Sequence, residues 1–76
     1  MKRVYIKWTD AHTYDGWSSL EDALKALSEP YICETLGWLI GENEDAYFVS
    51  HTFNQIAVMG CVNIPKGMVI EFTELR

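Results

Sequence analysis

The spacing of apolar positions changes several times along the chain, and each change marks an element. From Arg3 to Trp8 the spacing is two: Val4, Ile6 and Trp8 fall on one side, Arg3, Tyr5 and Lys7 on the other. That alternation predicts a strand with one buried face. Thr9 to Gly16 is polar and turn-prone and is expected to be a loop. From Trp17 to Ser28 the period lengthens, with Leu20, Ala23, Leu24 and Leu27 at the spacing of an amphipathic helix. Ser18 and Glu21 have capping-box spacing, and Glu21 and Asp22 suit the positive end of a helix dipole. Pro30 ends the helix, because the residue before a proline avoids helical backbone. A helix of about three turns does not hold alone in water, so Leu20, Leu24 and Leu27 are expected to press against the strands.

Four further strands follow. Tyr31 to Gly41 is a long strand-like run in which Gly37 marks a bend or bulge. Glu42-Asn43-Glu44-Asp45 is a charged turn. Ala46 to Phe53 is a strand with Tyr47, Val49 and His51 on one face and Phe48 and Ser50 on the other. Asn54-Gln55 connects it to Ala57 to Ile64. Pro65-Lys66-Gly67 is a tight turn, with proline presetting one backbone angle and glycine free to take the opposite sign. Met68 to Leu75 is the fifth strand, with Ile70 and Phe72 inward and Glu71 and Thr73 outward. Sequential strands with short connections pair antiparallel. Five short strands expose two edges unless the sheet curls closed. The expected fold is therefore mainly β (α+β): a five-stranded antiparallel SH3/Sm-like barrel with one short helix inserted after the first strand. An open sheet with the helix across one face is the alternative.

Length narrows the picture: 76 residues make a single small domain, 1–76. A domain this small buries only about 60% of the surface its unfolded chain exposes. Yet 49% of residues are hydrophobic and 13% aromatic. Both a dense core and apolar surface covered by a second subunit are expected. Six Lys and Arg stand against eleven Asp and Glu, a net charge of -5. Duplex nucleic acid is held by cations that displace counterions, so it is not an expected partner. An acidic surface suits a solubilised domain or a partner with a basic face. Cys33 and Cys61 belong to no CxxC, the start MKRVYIKW lacks the apolar core of a signal peptide, and no run approaches the ~20 residues of a membrane span. The expected location is the cytoplasm, with reduced thiols and no membrane partner.

Chemistry-bearing residues are few. Asp10, His12, Tyr14 and Asp15 share one loop, but a metal site needs ligands converging from rigid supports, so local turn hydrogen bonds are expected and no metal. His51 and Cys61 on neighbouring strands have the types of a base and a nucleophile. No oxyanion element or third orienting group accompanies them, and both cysteines are expected to be small core residues. The chain therefore reads as a non-enzyme without cofactor. Glu42, Glu44 and Asp45 form a solvated, edge-protecting cluster or a candidate acidic contact. Trp8 and Trp38 are expected to fill the barrel core. Trp17 either packs as a lid or joins Tyr14 as a binding hot spot. Arg3, Tyr5 and Lys7 form an outward stripe that is either an ordinary solvated face or a place to stack a base and hold a phosphate, multiplied at a subunit interface.

Three stretches carry a resemblance: Trp8-Thr9-Asp10 leading to Gly16-Trp17 and Leu20-Glu21-Asp22-Ala23; Leu36-Gly37-Trp38-Leu39-Ile40; and Met59-Gly60-Cys61-Val62-Asn63-Ile64-Pro65-Lys66-Gly67 followed by Ile70. In this order the chain resembles small accessory proteins encoded by tailed bacteriophages, over most of its length. The break at Ile64-Pro65-Lys66-Gly67 is also similar to the end of Sm-like barrels, where a tight turn separates two bent strands. The phage group has no agreed activity and no catalytic residues to carry over. The resemblance implies a protein in the host bacterial cytoplasm that binds and neutralises a component of anti-phage defence, and the apolar excess adds that it works as a homo-oligomer. The alternatives are a sponge that sequesters a nucleotide second messenger at a subunit interface and an Sm-like RNA binder, the latter opposed by the acidic charge.

Overall fold

The computed structural model describes residues 1–11 and 16–76. The order is β1 (Lys2–Asp10), α1 (Leu20–Ser28), β2 (Tyr31–Glu42), β3 (Ala46–Phe53), β4 (Val58–Pro65), a one-turn 3-10 helix (Lys66–Met68) and β5 (Val69–Leu75). The strands form one sheet in the order β4-β3-β2-β1-β5, every pairing antiparallel. The protein is mainly β, with its helix after the first strand. The expected closure into a barrel is corrected. β4 and β5 stand at opposite margins and do not pair; the 3-10 helix joins them at one corner, and from there each follows its own partner, β3 or β1.

Alternation along β1 places Val4, Ile6 and Trp8 in the core, where Val49 and Ile64 meet them. Trp8 also satisfies its one polar atom: its Nε1 donates to Thr35 Oγ1 at 2.9 Å. Gly37 lies where β2 and β3 approach closely, since a Cβ there would sit 2.7 Å from the Ser50 carbonyl oxygen. The register shift in β2 comes later, between Leu39 and Gly41. Ser50 is buried, its hydroxyl 2.6 Å from the Met59 carbonyl and 2.7 Å from that of Thr52, so its proton always has an acceptor.

Two hairpin turns use the same device. Asn43 Oδ1 accepts from the N–H groups of Asp45 and Ala46 at 2.8 and 2.9 Å, and Asn54 Oδ1 accepts from those of Ile56 and Ala57 at 2.9 and 2.8 Å. A short amide acceptor satisfies the orphan donors of a tight turn. The Pro65 corner needs no left-handed backbone: the positive-φ residues among those described are Gly16 and Gly60, so Gly67 serves the turn without taking the opposite sign.

Several expectations about side chains are corrected. The helix is capped one residue later than its sequence suggests, with Ser19 Oγ accepting from Asp22 N at 3.1 Å. It stops where expected, at extended Glu29 before Pro30. Its apolar stripe, however, does not press on the strands. Leu20, Leu24 and Leu27 are 76, 60 and 45% exposed, because the sheet core is completed by the strands themselves. Ile70 is exposed rather than inward. β5 shifts register against β1 between Lys7 and Trp8, so Val69 faces Trp8, Glu71 faces Lys7, and Ile70 is the extra residue. Phe72 faces Ile6 but lies on a margin, half covered by the Tyr47 ring at 4.6 Å. Trp38 is half-buried, edge-on to Phe53 at 5.1 Å, and lies outside the main core. Cys33 packs against the core as expected, whereas Cys61 is exposed on the marginal strand β4.

Candidate functional site

β1 occupies an inner position of the sheet, so its outward residues are flanked on both sides. Register sets Arg3 beside Trp38 and Leu75, Tyr5 beside Leu36 and Thr73, and Lys7 beside Glu34 and Glu71. The stripe that looks uniform in sequence therefore divides in two.

At the Lys7 end the neighbours are acidic. The Tyr5 hydroxyl donates to Glu34 Oε1 at 2.6 Å. That hydrogen bond, with desolvation and the negative charges of Glu34 and Glu71 added, pushes the phenol up to about 12. Two carboxylates here offset Lys7, which suits a self-contained ionic face better than a phosphate cradle.

At the Arg3 end the surface is concave. A hollow of about 260 Å³ is lined by Arg3, Leu36, Gly37, Trp38, His51 and Leu75. His51 lines it from an exposed position: its Nδ1 is 2.6 Å from Thr52 Oγ1, and its ring covers Gly60 so closely that any Cβ at that position would collide with it. The ladder pairs Ser50 with Cys61 and Thr52 with Met59, which sets His51 over Gly60 rather than against Cys61.

The other candidate residues are dispersed. Trp17 is fully exposed just before the helix cap. Tyr14, with His12 and Asp15, lies outside the described residues. Among those described, no group of three His, Cys, Asp or Glu side chains could hold a metal. In the acidic turn, Glu42 is tied to Lys66 at 2.9 Å, and that ammonium sits 4.8 Å from the Tyr47 ring centroid. The hydrogen bond to Glu42 raises the Lys66 pKa, with the nearby negative charges reinforcing it against desolvation. Glu44 and Asp45 remain exposed. No helix among the described residues is long and apolar enough to cross a membrane.

Sequence reading missed Trp38, His51, Leu36 and Leu75 as a group. The signal lay in register, not in any local motif: only the β1–β2 and β1–β5 ladders bring Trp38 and Leu75 to Arg3. Comparison with protein-family models, curated proteins and solved structures finds no match.

Proposed function

We propose that the chain is a non-catalytic binding protein that works as a homo-oligomer, with the apolar face of α1 covered by a second copy. One observation carries this reading: the single chain has too much surface. A compact monomer of 8.7 kDa exposes about 4,700 Å². This chain exposes 5966 Å², an excess of about 1,200 Å². A standard protein interface takes about 800 Å² from each partner, and obligate dimers take more. The radius of gyration agrees, at 15.6 Å against about 11 Å for a compact chain of this length. Leu20, Leu24 and Leu27 supply an apolar stripe with no intrachain cover, and Phe53, Ile56, Val58 and Met59 add exposed apolar area at the β3–β4 turn.

The target class is a component of bacterial anti-phage defence. Its support is the resemblance of the three sequence stretches around Trp8, Trp38 and Gly60 to small phage accessory proteins. The 3-10 corner between β4 and β5 supports an Sm-like path, left unclosed. Sedimentation equilibrium tests the assembly: a discrete oligomer is expected, and Leu20→Ser with Leu24→Ser and Leu27→Ser should yield a monomer with its sheet intact. A wild-type monomer at micromolar concentration refutes the assembly. Expression in defended bacteria should restore plating of a restricted phage, and unchanged plating refutes the target class.

A further inference from the structure

We propose that the hollow at Arg3, Trp38 and His51 binds a small ring-bearing anion, of the size of a mononucleotide or an aromatic carboxylate. The charge comes from Arg3. Among the described residues its guanidinium makes no ion pair, hydrogen bond or ring contact, unlike Lys2, which pairs with Glu74, and Lys66, which pairs with Glu42. A free guanidinium offers a planar fork that matches a phosphate or carboxylate with two parallel hydrogen bonds. The ring surface comes from Trp38, the cross-strand neighbour of Arg3, half-buried and braced edge-on by Phe53. Indole faces stack on flat rings without regard to their identity. His51 supplies a second ring, held by Thr52 and by the bare Gly60 backbone. Trp38 is braced before any ligand arrives, so little of its side-chain freedom is lost on binding.

Size and charge narrow the ligand. The hollow measures about 260 Å³, below the ~300 Å³ at which sites for drug-sized ligands begin. It admits one flat ring system with one anionic group. A net charge of -5 repels long polyanions and leaves a single local cation able to select a compact anion. Tyr5 is held by Glu34 and Lys7 lies between Glu34 and Glu71 in the ladders, so neither belongs to this site. The site is complete within one chain and does not depend on self-association.

The test is an NMR titration of isotope-labelled protein with adenosine monophosphate and with indole-3-acetate, against adenosine and inorganic phosphate alone. At least one of the two ring-bearing anions should move the Trp38 indole N–H, and the ring without charge or the charge without ring should bind about tenfold more weakly. Arg3→Gln, on an exposed side chain, should weaken binding by a similar factor while leaving the backbone spectrum native. The triple serine variant of α1 should bind as wild type does. The proposal fails if neither probe moves Trp38, if the shifts map instead to Trp17, if Arg3→Gln leaves affinity unchanged, or if binding disappears with the helix substitutions.

Discussion

The turns at Asn43 and Asn54 have the same local chemistry and opposite surroundings. In each, the asparagine side chain accepts two backbone N–H bonds, and its own N–H donates 3.0 Å to a carbonyl three residues on. Around Asn43 the chain is closed over. Ala46 is buried, Lys66 N donates to the Asp45 carbonyl at 2.8 Å, Lys66 reaches Glu42, and Tyr47 stacks on Phe72. Around Asn54 it is bare: Ile56 is 94% exposed, and Phe53, Val58 and Met59 lie open beside it. Turn geometry is thus written locally, while burial depends on what the rest of the chain brings. The 3-10 corner reaches the first turn, whereas the second has the edge-on Trp38 ring against Phe53 and leaves Ile56 open.

The sharpest test of that contrast compares two isoleucines. Ile64 is wholly buried at the closed end, and Ile64→Ala should cost about 2–5 kcal/mol in denaturant unfolding. Ile56→Ala, at the open turn, should stay within about 0.5 kcal/mol for the isolated monomer. A large loss at Ile56 would show that the open turn is covered.

Next in size is Gly60, on the strand that links both regions. Its φ of +67 and the overlying His51 ring exclude a side chain. Gly60→Ala should cost about 1–3 kcal/mol, and His51→Ala in the same chain should restore the part due to the collision. An unchanged midpoint for Gly60→Ala would mean that the ring is free to move away.

The asparagines themselves should differ. The Ala46 N–H that Asn43 satisfies is partly buried, whereas the bonds at Asn54 are exposed to water. Asn43→Ala should cost about 1–3 kcal/mol and Asn54→Ala about 0.5, measured by thermal unfolding. Equal losses would remove the distinction between the ends.

The smallest effect concerns Tyr5. Its folded pKa of about 12 lies above the ordinary 10.0, so its contribution to stability is complete below pH 10.0 and fades as pH rises toward 12. In an ultraviolet titration one tyrosine should ionise late, and Glu34→Gln should bring that transition down. A late transition that survives the substitution would exclude Glu34 as its main cause.

Much of this architecture is legible in the residues. Val4, Ile6 and Trp8 announce β1 by alternation, Pro30 ends the helix, and the strand bounds at Ala46 and Phe53 agree with the pattern. The misreadings share a cause. Amphipathic spacing in α1 says that Leu20, Leu24 and Leu27 want cover but not who provides it. A one-residue shift in β5 turned Ile70 outward, and periodicity alone does not reveal where a ladder slips. Trp38 looks like core because it is large and apolar, yet its position depends on a neighbour more than thirty residues away in sequence, Arg3.

The pairing of β5 with β1 has a consequence for the order of events during synthesis. Residues 69–75 cover one margin of residues 3–8, and everything between must leave the ribosome before they can meet. Until then the edge of β1 is an open template beside an unfinished core, exposed to any passing strand. Such a long-range closure is also intrinsically slow. The vulnerable moment in the life of this chain is therefore the interval before its fifth strand arrives.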